Sequence, residues 1–271
     1  MNYPVKHLKM KNLPMAKVTH DLQLIENRQL NPAYHLLIFK SSVAIPEVFP
    51  GQFAELLTPD SAATFLRRPF SIYNADYQLN TIQFIVKIVG NGTKKLCQLS
   101  TGAIVNIIYP LGKGFSISEG KSLIVGGGVG IAPMYLLSKW LTTNNREFDI
   151  LLGGRTEADI INVKEFSEYG ELDITTENGK LGQKGLITTH PWLKDPGSVY
   201  SRIYTCGPEA MMRAVARIAI ASQISCEVSL ENTMACGFGV CLCCVVATDK
   251  GNLCVCTDGP VFNINNLKGW D

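Results

Sequence analysis

Leu123-Ile124-Val125-Gly126-Gly127-Gly128-Val129-Gly130-Ile131-Ala132-Pro133 is the stretch on which the fold turns. Its three leading apolar residues read as a buried strand. The glycines that follow let a backbone turn tightly and approach a ligand closely. Free N–H groups at the start of the next helix, with the helix dipole, attract a phosphate. Pro133 suits the first helical turn, where its missing N–H costs nothing. The spacing is G-x-G-x-x-P, not the G-x-G-x-x-G of the dinucleotide fingerprint. A plain strand-to-helix turn is the bland alternative. Four glycines in five residues before a helix argue instead for phosphate contact.

Downstream, from about Glu119 to Gln223, strand-like runs alternate with helical stretches. Leu123–Val125 leads to a helix over Ala132–Leu141, and Asp149–Leu152 to a short helix near Val163–Tyr169. Leu172–Thr175 and Ile203–Thr205 follow, then a helix over Glu209–Ser222 with Met211, Met212, Val215, Ile218 and Ala219 as its apolar stripe. Ser225–Leu230 reads as the last strand. This alternation predicts a parallel sheet with crossover helices. Upstream, the chain to about Ser118 reads as all-β. Val18, His20, Leu22 and Leu24 alternate with polar residues, as do Ile82, Phe84, Val86 and Ile88. Tyr34–Phe39, Phe53–Leu57 and Ile104–Tyr109 fit further strands. Many short strands with Pro and Gly turns predict a barrel or sandwich.

The C-terminal segment holds six of the nine cysteines: Cys236, Cys241, Cys243, Cys244, Cys254 and Cys256. Four of them read C-x4-C-x2-C-x11-C, close to the plant-type spacing for a [2Fe–2S] cluster. Gly237 and Gly239 lie where a backbone wraps around inorganic sulfide. Zinc sites combine two C-x2-C-like knuckles, which fits this spacing less well. In an extended segment Cys254 and Cys256 face the same side, so spacing alone does not choose between them. Cys97 and Cys226 read as core. The segment is too small to fold by burial alone, so bound metal or docking should support it. The expected units are therefore 1–118, 119–223 and 224–271: a β-barrel, an α/β nucleotide-binding domain and a small cluster module.

The rest of the composition excludes more than it adds. A net charge of +2 with no basic stripe argues against nucleic acid. No run approaches the roughly 18 apolar residues of a membrane span; Arg217 interrupts the best candidate, Met211–Ala221. The first fifteen or so residues lack an apolar signal region and read as a loose tail. A cytoplasmic protein is expected, where dense cysteines indicate metal or redox chemistry. The four histidines, His7, His20, His35 and His190, are scattered without metal spacing. No G-x-S-x-G elbow and no Walker loop occurs.

Three further motifs are ambiguous on their own. Ile88-Val89-Gly90-Asn91-Gly92-Thr93 ends a strand and reads equally as a hairpin turn or a ligand loop. Arg67-Arg68-Pro69-Phe70-Ser71 is a solvated face, or an extended segment whose arginine meets a pyrophosphate bidentately. Cys206-Gly207-Pro208-Glu209 repeats the strand-glycine-proline-helix logic. Cys206 is a small buried residue or part of a site at the carboxyl ends of the strands.

Together, R-P-F-S, G-G-G-V-G-I-A-P and C-G-P resemble the ferredoxin–NADP reductase superfamily. F-L-R-R-P-F-S-I with V-G-N-G-T, and M-A-C-G-F-G-V-C-L-C-C with C-T-D-G-P-V-F, resemble the electron-transfer subunits of type B dihydroorotate dehydrogenase. The resemblance covers the chain after its first fifteen or so residues. It implies FAD held by Arg68, Pro69, Phe70 and Ser71, with Arg68 on the pyrophosphate and Ser71 near the flavin N5. Ile88, Gly90, Gly92 and Thr93 would wrap the ribityl-pyrophosphate portion. Gly127, Gly128, Gly130 and Pro133 would lie at the NAD pyrophosphate, and Cys206 and Gly207 near the nicotinamide. The cluster would be ligated by Cys236, Cys241, Cys244 and Cys256, the last because T-D-G-P-V-F follows it. Cys243 and Cys254 depart from the family's pattern as additional thiols. The implied partner is an FMN-containing catalytic subunit that oxidises dihydroorotate, in a heterotetramer of two plus two. Electrons would pass through the cluster and FAD to NAD⁺, and no acid or base is needed in this chain. NAD is expected over NADP because Glu157 and Asp159 lie near Arg155. A subunit of a ferredoxin:NADP reductase or sulfide dehydrogenase complex would share these modules, and a colourless zinc-containing nucleotide sensor is the non-enzymatic alternative.

Overall fold

The computed structural model describes residues 17–59 and 65–270. The expected loose tail lies outside them. The first unit is an antiparallel sheet of β1 (Val18–Asn31), β2 (Tyr34–Lys40), β3 (Phe53–Leu56), β4 (Arg68–Ser71), β5 (Asn74–Asp76), β6 (Thr81–Lys87) and β7 (Ile104–Leu111), with the short helix α1 (Asn91–Cys97) before the last strand. The strand order is β4-β3-β7-β1-β2-β6-β5. Two residues between β4 and β5 join its edges. Ile72 N–H donates to Gln52 O and Tyr73 N–H to Gln83 O, at 3.0 and 2.9 Å. Alternate residues such as Leu22, Leu24, Phe39, Ala54, Leu56, Phe84 and Ile107 fill the interior, as a half-buried period of two requires.

α1 corrects the all-β expectation and removes the hairpin reading of Gly90–Thr93. Thr93 Oγ1 accepts from the N–H groups of Val89 and Gly90 at 3.0 and 3.1 Å and donates to Gly90 O at 3.0 Å. One hydroxyl thereby turns the chain from β6 into a helix.

The second unit contains β8 (Ser122–Gly127), α2 (Ala132–Thr143), β9 (Phe148–Gly154), α3 (Val163–Phe166), β10 (Glu171–Thr176), β11 (Gln183–Lys184), β12 (Arg202–Cys206), α4 (Glu209–Ala221) and β13 (Ser225–Ser229). Its sheet runs β11-β10-β9-β8-β12-β13, all parallel. The chain leaves β8 in one direction and returns to β12 on its other side, which makes the β8/β12 boundary a topological switch point.

The cysteine-rich segment forms a hairpin, β14 (Val245–Thr248) and β15 (Gly251–Cys254), one helical turn, α5 (Val255–Asp258), and β16 (Val261–Asn263). β16 pairs antiparallel with β13 and becomes the seventh strand of the nucleotide sheet. The expected 224–271 unit thus contributes both β13 and β16 to this sheet. Leu230 N–H donates to Pro260 O, and Lys113 N–H to Gly259 O at the end of the barrel. A single apolar core joins Phe53, Ile108 and Leu111 of the barrel, Leu123 and Val228 of the sheet, and Met234, Cys244, Val255, Cys256 and Phe262 of the last segment. The small module is thus docked on both larger units, which is how so short a segment buries enough surface. The barrel and sheet also meet directly. Tyr73 and Tyr135 stack with ring centroids 4.5 Å apart, and Asp159 takes Tyr34 Oη and Lys87 Nζ at 3.3 and 3.4 Å.

Candidate redox site

β4 presents the R-P-F-S motif as a strand paired with β3. The register sets Ser71 opposite Phe53, Phe70 opposite Ala54, Pro69 opposite Glu55 and Arg68 opposite Leu56. Phe70 packs into the barrel interior. Pro69 and Ser71 therefore share the outer face of the ribbon with Phe53 and Glu55. The two arginines separate in role. Arg67 is held inside by Asn106 O and Oδ1, at 2.8 and 2.5 Å. Arg68 bonds the carbonyls of Leu66 and Arg67, and its guanidinium lies over Gly92, where a Cβ would come within 2.9 Å of Nε. Among the described residues, nothing lies within 4 Å of the Cβ position of Gly90. Arg68, Gly90 and Gly92, about twenty residues apart in sequence, are thus brought together around an open backbone, as a diphosphate needs. Ile88 packs at the margin of the barrel core. Thr93 is committed to its internal bonds, so its part in such a site is to shape the loop.

At the switch point, Gly126 and Cys206 are register partners. A 3₁₀ turn over Gly128–Ile131 carries β8 into α2, with Pro133 in the first helical turn. Gly128 has φ +55° and nothing within 4 Å of its Cβ position, so this backbone is open to a ligand. Gly130 serves a different end: a Cβ there would overlap the backbone of Cys206 and Gly207. Gly127 faces side chains instead, those of Met211 and Pro208. Cys206 is 1% exposed, and burial, then Glu231, push its thiol well above the usual range. It shapes the floor beside Gly207 and is no nucleophile. Past β9, Asp159 is spent on Tyr34, Lys87 and Thr156 N–H. Glu157 is the exposed carboxylate left there, held by Asn178 Nδ2 at 2.8 Å and Lys180 Nζ at 3.6 Å.

The cysteines fit a dinuclear cluster. Backbone N–H groups aim at sulfur: Phe238 to Cys236 at 3.4 Å, Gly239 to Cys256 at 3.1 Å and Cys256 to Cys244 at 3.4 Å. Burial raises Cys236, but the N–H groups of Cys241, Phe238 and Val240 outweigh it and bring the thiol to about 6. Burial and the bond to Cys244 push Cys256 up to about 12. The Cys236 thiol interacts with the Cys241 side chain, and the Cys256 thiol with Cys244 and Cys236, so these four thiols lie within reach of one another. Among the described residues, no group of three or more His, Cys, Asp or Glu side chains gathers at one metal-ion position. α5 places Cys254 and Cys256 differently. The chain is not extended past Cys254, so Cys256 turns toward the Gly239 N–H while Cys254 N–H donates to Asp258. Cys243 is exposed.

One feature escaped the sequence reading. Glu55 is 0% exposed and packed against Gly237 of the cysteine loop; a lone acid in an apolar strand was the available signal. Phe238, Val240 and Leu242 are exposed on that loop at 44%, 81% and 63%.

A model of the "Iron-sulfur cluster binding domain of dihydroorotate dehydrogenase B" matches residues 231–268, and one of the "Oxidoreductase NAD-binding domain" matches 124–217. The dihydroorotate dehydrogenase B (NAD(+)) electron transfer subunit of Caldanaerobacter subterraneus subsp. tengcongensis is 39% identical over 89% of this chain and 94% of its own. The chain belongs to the family of dihydroorotate dehydrogenase B electron transfer subunits. The subunit of the same name from Clostridium perfringens is 36% identical over 92% of this chain and 95% of its own. Within this family, the matched iron–sulfur model removes the zinc alternative. Among solved structures, an NADH-dependent reduced ferredoxin-NADP oxidoreductase superposes with TM-score 0.82 at 26% identity, covering 91% of this chain and 89% of that one. A ferredoxin reductase of carbazole 1,9a-dioxygenase shares the fold at TM-score 0.67 and 20% identity, over 79% of this chain and 68% of that one. No described helix is long and apolar enough to cross a membrane.

Proposed function

We propose that the chain passes electrons from a partner FMN-containing dihydroorotate dehydrogenase to NAD⁺ in pyrimidine biosynthesis, in the cytoplasm. When bound, a [2Fe–2S] cluster handles single electrons and FAD converts between these and the hydride that NAD accepts. The carrying observation is that the R-P-F-S strand and the cysteine loop share one face of the β3–β4 ribbon, through Glu55 and Gly237. Family membership at 39% identity over nearly the whole relative supports the same reading.

The residues divide the work. Arg68 would neutralise the FAD pyrophosphate beside Gly90 and Gly92, with Ser71 on the outer face toward the flavin ring. Gly128 and the start of α2 would take the NAD pyrophosphate, over a floor made by Gly127, Gly130, Cys206 and Gly207. Glu157, at the end of the second strand of the sheet, suits a ribose hydroxyl and repels a 2′-phosphate. Cys236, Cys241, Cys244 and Cys256 would hold the irons. The exposed Phe238, Val240 and Leu242 around these thiols form the docking surface for the partner, in an assembly of two plus two. The units are then the barrel through 118, the α/β domain from 119 through Leu230, and the cluster module from Glu231.

The isolated chain should reduce artificial dyes with NADH, with NADPH far slower, and should leave dihydroorotate untouched. Turnover of dihydroorotate with dye by the isolated chain overturns the assignment. The ferredoxin:NADP reductase reading is separated from it by co-purification: an FMN partner that acts on dihydroorotate supports the present one.

A further inference from the structure

Glu55 is a charged residue in a place built for an apolar one. It lies on β3 between Ala54 and Leu56, whose side chains fill the barrel. Its own side chain points to the opposite face, where Phe53, Ile108 and Leu111 join the apolar core shared with the cysteine module. It is 0% exposed, and neither carboxylate oxygen has a hydrogen-bond partner among the described residues. Such a group is costly to bury, so its position calls for a reason.

Its surroundings supply one. On one side, across the ribbon, stands Pro69 of the R-P-F-S strand. On the other is the cysteine loop, where a Cβ at Gly237 would come within 3.2 Å of Glu55 Cγ and 3.3 Å of Oε1. The charges facing it are Arg67 and Arg68 from the flavin strand and Cys236 from the loop. Arg67 approaches only the Glu55 backbone carbonyl, at 3.5 Å, and spends its other bonds on Asn106. Among the described residues no cation bonds the carboxyl group, and solvent does not reach it. Burial weakens its ionisation and lifts it to about 7, against the pull of Arg67.

We propose that Glu55 is a positioning residue for the electron relay, whose buried and unpaired carboxylate sets the reduction potential of the cluster held by the adjacent loop. This rests on the [2Fe–2S] reading above. Reduction adds negative charge to the cluster, and a carboxylate nearby in a poorly polarisable core opposes that charge. Glu55 thus holds the cluster at a lower potential than its thiolates and N–H bonds alone would give, which favours release of the electron toward the flavin strand.

The test is a potentiometric titration of the cluster followed by electron paramagnetic resonance. It uses the full-length chain in its purified complex, at about pH 9 so that the carboxyl is ionised. Glu55→Gln keeps the shape and removes the charge. It is expected to raise the midpoint potential by an amount equal to at least a tenfold change in electron sharing, about 59 mV for one electron. Glu55→Asp keeps the charge and should stay nearer to wild type than Glu55→Gln does. A role in packing alone predicts the reverse order, because Gln is the better isostere. Iron and flavin contents are measured on every variant, and Glu55→Leu replaces Glu55→Gln if the latter loses iron. An unchanged potential with full iron content overturns the proposal. So does loss of iron from both neutral variants, which would make Glu55 purely structural. Absence of iron from the wild-type chain would instead sink the cluster reading itself.

Discussion

At the scale of single residues, the nine cysteines have sharply different environments that their spacing only partly forecasts. Cys97 is buried, and desolvation pushes its thiol up to about 12. Cys226 is fully buried and displaced in the same direction, chiefly by desolvation. Cys243 is exposed. The thiolate is the reacting form, and a raised pKa removes it. In the cluster-loaded protein at about pH 8, brief alkylation should therefore label Cys243 and leave Cys97 and Cys226 unlabelled by mass spectrometry. Raising the pH to about 9 should not recruit Cys97, since its thiol remains protonated there. Labelling of Cys97 before Cys243 would contradict the assignment. The sequence offers Cys236, Cys241 and Cys244 as candidate ligands because sulfur at C-x4-C-x2-C spacing has few other uses. The preference for Cys256 over Cys254 rests on resemblance alone, and the helical turn that separates the two is not advertised by its four residues.

Single elements show where local pattern suffices. The strands β2, β3, β6 and β7, the first half of β1, and the helices α2 and α4 are forecast to within a few residues, whereas the short β4 and β5 are not. The helix α1 was missed. Its seven residues carry two of its polar groups as Lys94 and Lys95, and no apolar stripe outlines it. What starts it is the Thr93 hydroxyl, a local bond network rather than a pattern. Replacing Thr93 with Val keeps the volume and removes the acceptor of two N–H groups, while Gly90 O keeps the Lys94 N–H. Expected consequences are a loss of about 2 kcal/mol of stability, read from thermal unfolding, and weaker FAD retention because the loop under Arg68 loosens. A variant with wild-type melting temperature and flavin content would show that the hydroxyl does not hold this turn. The strand β16 was missed for a different reason: three residues, Val261–Asn263, are too few for any periodicity, and only β13 makes them a strand.

At the scale of the molecule, the last segment is the hinge of the design, since it touches the barrel through Lys113 and Gly259 and the sheet through β13. Its outward face carries Phe238, Val240 and Leu242. Leu242 has φ +55°, a conformation that Asp tolerates better than most residues. Leu242→Asp should therefore spare the fold while placing a charge on the docking surface. Association with the catalytic partner should weaken at least tenfold, measured by titration, with NADH-to-dye turnover of the isolated chain unchanged. Wild-type affinity in this variant would move the interface elsewhere.

The sequence by itself determined the parts list: an antiparallel barrel, a parallel α/β sheet, a cysteine loop, and the glycine and arginine motifs that suit diphosphates. Those follow from short-range chemistry, namely side-chain alternation, backbone freedom at glycine and the few uses of clustered sulfur. The tertiary structure alone decided which parts meet. It set Arg68 over Gly92, closed Gly130 against Gly207, committed Asp159 to the barrel and so left Glu157 to face solvent. It also buried Glu55 between flavin strand and cysteine loop. The physical reason is that burial and electrostatics depend on distances between residues far apart in the chain, and no local pattern encodes those distances.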